Sequence, residues 1–276
     1  MAEFSSPGLI ALLVAGLLAT GAIAGLLAGL LGVGGGIVIV PVLFLLFNAL
    51  AIPDAVAMHV AVATSLATII PTSISSARAH HRRGAVDPGL LKLWAPFIFV
   101  GAGFGGYISQ YIKGDYLTAI FGGIAFFVAL NMANPKKFVI ADSLPENPLK
   151  NGTIGGVIGT LSALMGIGGG TFSVPALTLY SVPMHRAVGT AAAFGFIIAV
   201  PATLGFIYAG WGVEGRPPFS LGYVSIPAAL IIFSVTILTA PLGAKLAHAI
   251  NPRALKLAFA VFLAITSVRM LMKVFM

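Results

Sequence analysis

Long apolar runs separated by short polar stretches dominate this chain. Breaking it at charges, Gly/Pro clusters and polar runs leaves ten apolar segments, at about 8–31, 37–51, 55–77, 90–111, 116–133, 151–165, 171–182, 187–210, 222–248 and 254–274. Most reach the roughly 20 residues that a helix needs to cross about 30 Å of hydrocarbon. The segments at 37–51 and 171–182 would form only about 18–22 Å of helix. The pattern predicts an all-α integral membrane protein with about ten transmembrane segments, two of them short.

The composition supports a lipid environment. Of the 276 residues, 59% are hydrophobic and 8% are charged, whereas a soluble protein carries about 25% charged residues. The net charge of +8 resides in short loops between apolar runs, which indicates membrane orientation and not a nucleic-acid partner. Cysteine is absent, so disulfides and thiolate metal sites are excluded. No metal or cofactor is expected.

The chain carries one glycine motif twice. "GLLGVGGGIVIVP" spans residues 29–41 and "ALMGIGGGTFSVP" spans residues 163–175, an offset of 134, and Pro71 and Pro201 match further on. A polar stretch at 134–150 separates the two copies. We therefore expect a first transmembrane repeat at 1–133, a cytoplasmic linker at 134–150 and a second transmembrane repeat at 151–276. Because each unit has five segments, the second should be inverted relative to the first.

Loop charges predict the orientation. With the loop "RAHHRRG" (78–84) in the cytoplasm, alternating crossings place the termini outside an inner (plasma) membrane. The inside residues are then Arg78, Arg82, Arg83, Lys92, Lys136, Lys137, Lys150, Arg186, Lys245, Arg253 and Lys256, and the outside residues are Lys113, Arg216, Arg269 and Lys273. Whether segments 37–51 and 171–182 span or re-enter the membrane stays open. The answer changes the number of membrane crossings, and with it the side assigned to the loops.

The glycines fall into two groups. Gly21, Gly25 and Gly29 have the G-x-x-x-G spacing of close helix packing. The triple glycines do not line one helix face, and neither ends in the Lys-Ser/Thr of a phosphate-binding loop. Unwound backbone at membrane depth must line a cavity or be buried in protein. We therefore predict two broken helices whose new N-termini bind an anion. The candidate ligands are Gly34, Gly35, Gly36, Gly168, Gly169 and Gly170, and leucine at Gly35 or Gly169 should remove binding without unfolding the protein.

The acidic residues argue against cation transport. All seven (Glu3, Asp54, Asp87, Asp115, Asp142, Glu146 and Glu214) fall in loops or at segment ends. A cation pathway or carboxylate proton relay would place one at mid-membrane. Paired buried carboxylates, HExxH and GxSxG are also missing, which disfavours an intramembrane enzyme.

The third segment is rich in hydroxyls. In "HVAVATSLATIIPTSISSAR" (59–78), one stripe holds Thr64, Thr68, Ser75 and Arg78, and a second holds Ser65, Thr72 and Ser76. They either line a polar path or hydrogen-bond within and between helices.

Further candidate site residues lie outside these stripes. The matching stretch of the second half offers Thr190 and Arg186, and Arg186 either pairs with an anionic substrate or serves as an inside positive charge. His59 either couples protons or bonds a neighbouring helix.

These motifs resemble the TauE/SafE family of membrane permeases, the sulfite and sulfonate exporters. The resemblance rests on "AGLLGVGGGIVIVPVL", "ATSL…S…HHRRGAVD" and "SALMGIGGGTFSVPAL…P…RAVGTAAA…G" and covers nearly the whole chain. It implies transport of a small sulfur-containing anion such as sulfite, sulfoacetate or another organosulfonate. Gly34–Gly36, Gly168–Gly170, Thr64, Ser65 and Thr190 fall on its motifs. The second half has "TAA" where the first has "TS", so the halves need not contribute equally.

The expected function is a secondary transporter that moves such an anion by alternating access. An anion channel and a non-transport receptor or assembly protein remain as alternatives. The expected partners are a small anionic substrate and the lipid bilayer, and a homodimer is left open.

Overall fold

A computed structural model describes residues 7–133, 139–247 and 252–275. The helices in these ranges are α1 Pro7–Leu31, α2 Gly36–Ala49, α3 Asp54–His81, α4 Pro88–Ile108, α5 Gly114–Ala133, α6 Pro148–Met165, α7 Gly170–Leu179, α8 Met184–Ala209, α9 Ile226–Leu246 and α10 Pro252–Phe275. Each predicted apolar segment overlaps one of them, so the all-α prediction is confirmed. Residues 134–138 of the predicted linker lie outside the described ranges.

Two helix starts follow directly from side-chain caps. The Asp87 carboxylate accepts hydrogen bonds from Gly89 N and Leu90 N, and Pro88 opens α4. The Asn147 side chain accepts from Leu149 N, and Pro148 opens α6 three residues before the predicted segment. Proline suits the first helical position because its missing N–H would have no intrahelical acceptor there.

Six helical stretches of the described chain are long and apolar enough to cross a membrane. They are Ile10–Leu31, Asp54–His81, Pro88–Tyr111, Gly114–Asn131, Met184–Ala209 and Ile226–Leu246. The helices α2 and α7 have 14 and 10 residues, or about 21 and 15 Å. Each therefore reaches only part of the way across the hydrocarbon.

Helix contacts correspond between the two halves. α1 lies along α9 and α6 lies along α4; α3 contacts α9 and α8 contacts α4. α2 lies on α3 and α7 lies on α8, whereas α3 crosses α8 and α5 pairs with α10. For each of these pairs, replacing both helices with the ones five positions along the chain also gives a contact of the same set.

The small-residue stripe on α1 forms the contact with α9. A Cβ added to Gly25 would lie 2.0 Å from Thr239 Oγ1, and one added to Gly29 would lie 1.9 Å from the Ala240 carbonyl oxygen. Only hydrogen at these positions lets the backbones approach so closely. The predicted packing role of Gly21, Gly25 and Gly29 is confirmed.

The connection between α8 and α9 folds back into the molecule. Ser220–Leu221 and Val224–Ser225 form a two-stranded antiparallel ribbon, and Tyr223 is buried with its ring stacked on His59 at a centroid distance of 4.9 Å. The predicted segment at 222–248 therefore starts too early, because α9 begins at Ile226.

Candidate functional site

The two glycine motifs meet in the interior of the helix bundle. Gly168 N donates a 3.1 Å hydrogen bond to the Val33 carbonyl oxygen. A Cβ on Gly36 would lie 2.2 Å from the Gly166 carbonyl oxygen, and one on Gly170 would lie 2.5 Å from the Gly32 carbonyl oxygen. These two contacts correspond under the offset of 134. The helix breaks therefore touch backbone to backbone, and their glycines are buried.

The glycine breaks lie beside the middle of α3. Ser65 Oγ donates a 2.7 Å hydrogen bond to the Gly166 carbonyl oxygen. Ile69 packs against Gly34 and Gly36, where added Cβ atoms would come within 3.2 and 2.9 Å of its side chain. Because α3 is a candidate span from Asp54 to His81, this contact places the breaks near mid-length of a membrane helix.

The two breaks have the same motif but different backbones. Gly32, Gly34 and Gly35 have φ of +68°, +70° and +79°, a conformation that favours glycine. In the second break only Gly166 has positive φ, and Gly169 is right-handed helical at φ −59°. The repeated sequence therefore does not produce a repeated conformation.

The first turns of α2 and α7 also differ in hydrogen bonding. The Gly35 carbonyl oxygen accepts from both Val38 N and Ile39 N, at 3.0 and 3.2 Å, whereas the Gly169 carbonyl oxygen accepts from Ser173 N at 2.9 Å. The N–H groups of Gly170, Thr171 and Phe172 thus have no intrahelical acceptor. Free N–H groups at a helix start favour negative charge.

The leucine prediction for Gly35 and Gly169 is wrong in one respect. A Cβ on Gly169 would lie 2.5 Å from the Ala191 carbonyl oxygen, and one on Gly35 would lie 2.7 Å from that of Ala24. Gly35 also has positive φ. Leucine at either position would disrupt the fold, so neither variant separates binding from folding.

The hydroxyls predicted on α3 have partners inside the protein. Thr64 Oγ1 accepts a hydrogen bond from Ser225 N at 2.9 Å, and Ser75 Oγ donates to the Ile237 carbonyl oxygen at 2.8 Å. Thr68, Thr72 and Ser76 bond within α3 or to α1 and α9. The interhelical and back-bonding interpretation of the two stripes is therefore confirmed for these hydroxyls.

A different set of buried hydroxyls has no hydrogen-bond partner among the described residues: Ser73, Ser162, Thr171, Ser173 and Thr203. Two of them occupy matched positions, since Ser73 and Thr203 each lie two residues after the matched prolines. Buried hydroxyls without partners are rare and call for a ligand or water. Sequence reasoning missed them because none lies on the two stripes of α3.

Arg186 and Thr190 lie at the start of α8, and their side chains contact the loop before α4. The Arg186 guanidinium forms an ion pair with the Asp87 carboxylate, and Asp87 N donates a 2.9 Å hydrogen bond to Thr190 Oγ1. Asp87 also caps α4. Together these contacts attach the loop before α4 to α8.

His59 lies near the other end of α3 and is buried. Its Nε2 is 3.1 Å from the Ser109 carbonyl oxygen and 3.0 Å from that of Ile112. The structure therefore brings Gly34–Gly36, Gly168–Gly170 and Ser65 together. The side chains of Thr64, His59, Arg186 and Thr190 have partners other than the glycine breaks. No group of three His, Asp or Glu side chains within the described ranges could hold a metal ion.

These features define a multi-pass, all-α membrane protein with two contacting helix breaks. The family model described as sulfite exporter TauE/SafE matches residues 17–270. The chain belongs to the TauE/SafE family.

Sequence similarity to known proteins extends over most of the chain. It is 35% identical over 257 residues to a probable membrane transporter protein of Haemophilus influenzae, covering 93% of this chain and 97% of that one. It is 31% identical over 270 residues to a probable membrane transporter protein of Methanocaldococcus jannaschii, covering 95% and 96%. A probable membrane transporter protein of Bacillus subtilis, YunE, is 30% identical over 231 residues, or 73% and 79% of the two chains. No solved structure matches the chain.

Proposed function

We propose that this protein is a secondary transporter that moves a small sulfur-containing anion, such as sulfite or an organosulfonate, across the inner (plasma) membrane by alternating access. The observation that carries the proposal is the contact between the two glycine breaks beside Ser65 and Ile69 of α3. Short, glycine-interrupted helices at matched positions typically surround a transporter's central site. The family's description as sulfite exporter supports the choice of anion.

The corresponding helix contacts support an inverted repeat. If a two-fold axis relates two five-helix units, each helix contact has an equivalent contact elsewhere in the molecule. The α1–α9 and α6–α4 contacts are equivalent in this sense. The reciprocal contacts of Gly36 with Gly166 and of Gly170 with Gly32 fit such an axis. Relative motion of the two units would open the breaks to one side and then to the other.

The charge distribution supports the orientation. Lys273 Nζ donates hydrogen bonds of 2.6 Å to Asn48 and 2.5 Å to Asp54, at the start of α3. The basic loop after α3 lies at the opposite end of that helix. With that loop in the cytoplasm, Lys273 and both chain termini are outside.

The proposed substrate site comprises the glycine breaks with Ser65. Arg186 and Thr190 would act at its cytoplasmic entrance, since Val86, next to Asp87, lines a cavity with Arg78 and His81 there. In this proposal Thr64 contributes next to Ser65, and His59 lies nearer the outer end of α3, where it would move a proton if transport is proton-coupled.

Counterflow tests this function. Proteoliposomes containing the purified protein are loaded with unlabelled sulfite, and labelled sulfite is added outside at a low concentration. A transporter accumulates label transiently above equilibrium and saturates with substrate. A channel gives electrogenic, non-saturating flux without overshoot, and a receptor or assembly protein gives no flux above protein-free liposomes. Either result would refute the proposal.

A further inference from the structure

The two halves differ directly after their triple glycines. The first reads "GGGIVIVP" and the second "GGGTFSVP", so Ile37 and Ile39 of α2 correspond to Thr171 and Ser173 of α7. All four side chains are buried. The hydroxyls of Thr171 and Ser173 have no partner in the described structure. Only α7 therefore starts with polar side chains that could bind a ligand.

A third hydroxyl comes from α3. Ser73 is 1% exposed and its Oγ has no partner among the described residues. A Cβ added to Gly195 would lie 2.4 Å from Ser73 Oγ and 3.7 Å from Gly169 N. Ser73 Oγ therefore lies within about 6 Å of the backbone that opens α7. A single small ion placed between them could contact both.

The backbone at this position is suited to a negative charge. The N–H groups of Gly170, Thr171 and Phe172 precede the first bond of α7, which Ser173 N donates to the Gly169 carbonyl oxygen. Helix N-termini bind oxyanions through such groups and through the helix dipole. Side chains in a helix lean toward its N-terminus, so those of Thr171 and Ser173 lean toward the same turn.

A cavity open to water lies on the same side of α3 as Ser73, toward the cytoplasmic end. A cavity of about 290 Å³ is lined by Ala77, Arg78, His81, Arg82, Val86 and Ala193. Ala77 is four residues after Ser73, on the same face of α3. The two arginine side chains at the mouth, Arg78 and Arg82, would raise the local concentration of anions. On the other side, Tyr223 covers His59 at the outer end of α3.

We infer that a small oxyanion binds at the N-terminal turn of α7, between the N–H groups of Gly170–Phe172 and the hydroxyls of Ser73, Thr171 and Ser173. The N-terminal turn of α2 binds none. The inference rests on the proposed function and assigns its substrate site to one of the two breaks. Because glycine backbones pack closely at this turn, the proposed site suits an ion with small substituents, such as sulfite.

The test measures sulfite affinity of the full-length protein in detergent by isothermal titration. T171V, S73A and S173A remove single hydroxyls with little change in volume, and T171S restores one. T203V is the matched control, because Thr203 occupies the position in α8 that corresponds to Ser73 and is also buried without a partner. Melting temperature and size-exclusion profile without sulfite check that each variant is folded.

We expect T171V and S73A to weaken sulfite binding at least tenfold, with T171S and T203V within twofold of wild type. Wild-type affinity in all of the hydroxyl variants would overturn the inference but leave the proposed function standing. An equal loss in T203V would overturn the assignment to α7 alone. If the wild-type protein neither binds sulfite nor exchanges it in counterflow, both proposals are wrong.

Discussion

Alanine at Gly36 or Gly170 perturbs the contact between the helix breaks with one methyl group. Both residues open their helices and neither has positive φ, so the backbone itself tolerates alanine. The added Cβ would lie 2.2 Å from the Gly166 carbonyl oxygen in one case and 2.5 Å from the Gly32 carbonyl oxygen in the other. These atoms are backbone and cannot rotate away, so the two breaks must separate.

The expected cost of each substitution is that of overpacking a close-packed interior, about 1–3 kcal/mol. At about 2–4 °C per kcal/mol for a chain of this size, the melting temperature should fall by several degrees. In the double variant the second methyl group enters breaks that the first has already separated. The combined loss should therefore be smaller than the sum of the two single losses.

Thermal unfolding in detergent measures this effect, followed by tryptophan fluorescence, in which the buried Trp94 should report the loss of packing. Gly123→Ala in α5 is the control, because a Cβ there would meet nothing within 4 Å and alanine in an open helix stabilises by up to about 1 kcal/mol. If G36A and G170A melt within 1 °C of G123A, or if their losses add, the breaks are not in direct contact and the account of the site is refuted.

Two further substitutions test other contacts. Gly25→Ala should destabilise by about 1–3 kcal/mol, because its Cβ would lie 2.0 Å from Thr239 Oγ1. Gly16→Ala on the same helix meets open space and should leave the melting temperature unchanged or raise it, by up to about 1 kcal/mol of stability; an equal loss in both variants would contradict the α1–α9 contact. Arg186→Gln should raise the KM for sulfite transport several-fold and cost under about 1 kcal/mol of stability, since the ion pair with Asp87 is partly exposed. Asp87→Asn breaks the same ion pair but keeps a capping side chain, so an equal KM change in both variants would show that the ion pair, and not the Arg186 charge, matters.

Much of the fold could be predicted because lipid imposes a simple pattern. A helix occurs at every apolar run. The G-x-x-x-G spacing from Gly21 to Gly29 predicts close packing against another helix, which is α9. The ribbon at Ser220–Ser225 could not be predicted, since strands of two residues carry no periodicity. The start of α6 at Pro148 was missed because Asn147 and Pro148 were assigned to a polar linker, although together they are a helix-start signal.

The site was predicted less completely, and for a different reason. The glycine repeat located the two breaks, because glycine has few other uses in contiguous runs. Hydroxyls on α3 were conspicuous in the sequence, but a sequence does not show which of them have partners. Ser73 has no hydrogen-bond partner among the described residues, whereas Ser65 and Ser75 each donate to a carbonyl oxygen of another helix or loop. Thr171 and Ser173 could have been found from the differences between the two motif copies, where they replace Ile37 and Ile39.

Thermal stability of the wild-type protein against a panel of anions tests the central claim most directly. The panel contains the anions sulfite, thiosulfate, sulfate, sulfoacetate, acetate and chloride, together with taurine, a zwitterionic sulfonate. A ligand at 100 times its dissociation constant should add about 2.7 kcal/mol to the free energy of unfolding. We predict a clear rise in melting temperature with sulfite or a sulfonate and none with acetate or chloride. If no anion in the panel stabilises the protein, the helix breaks do not form an anion site.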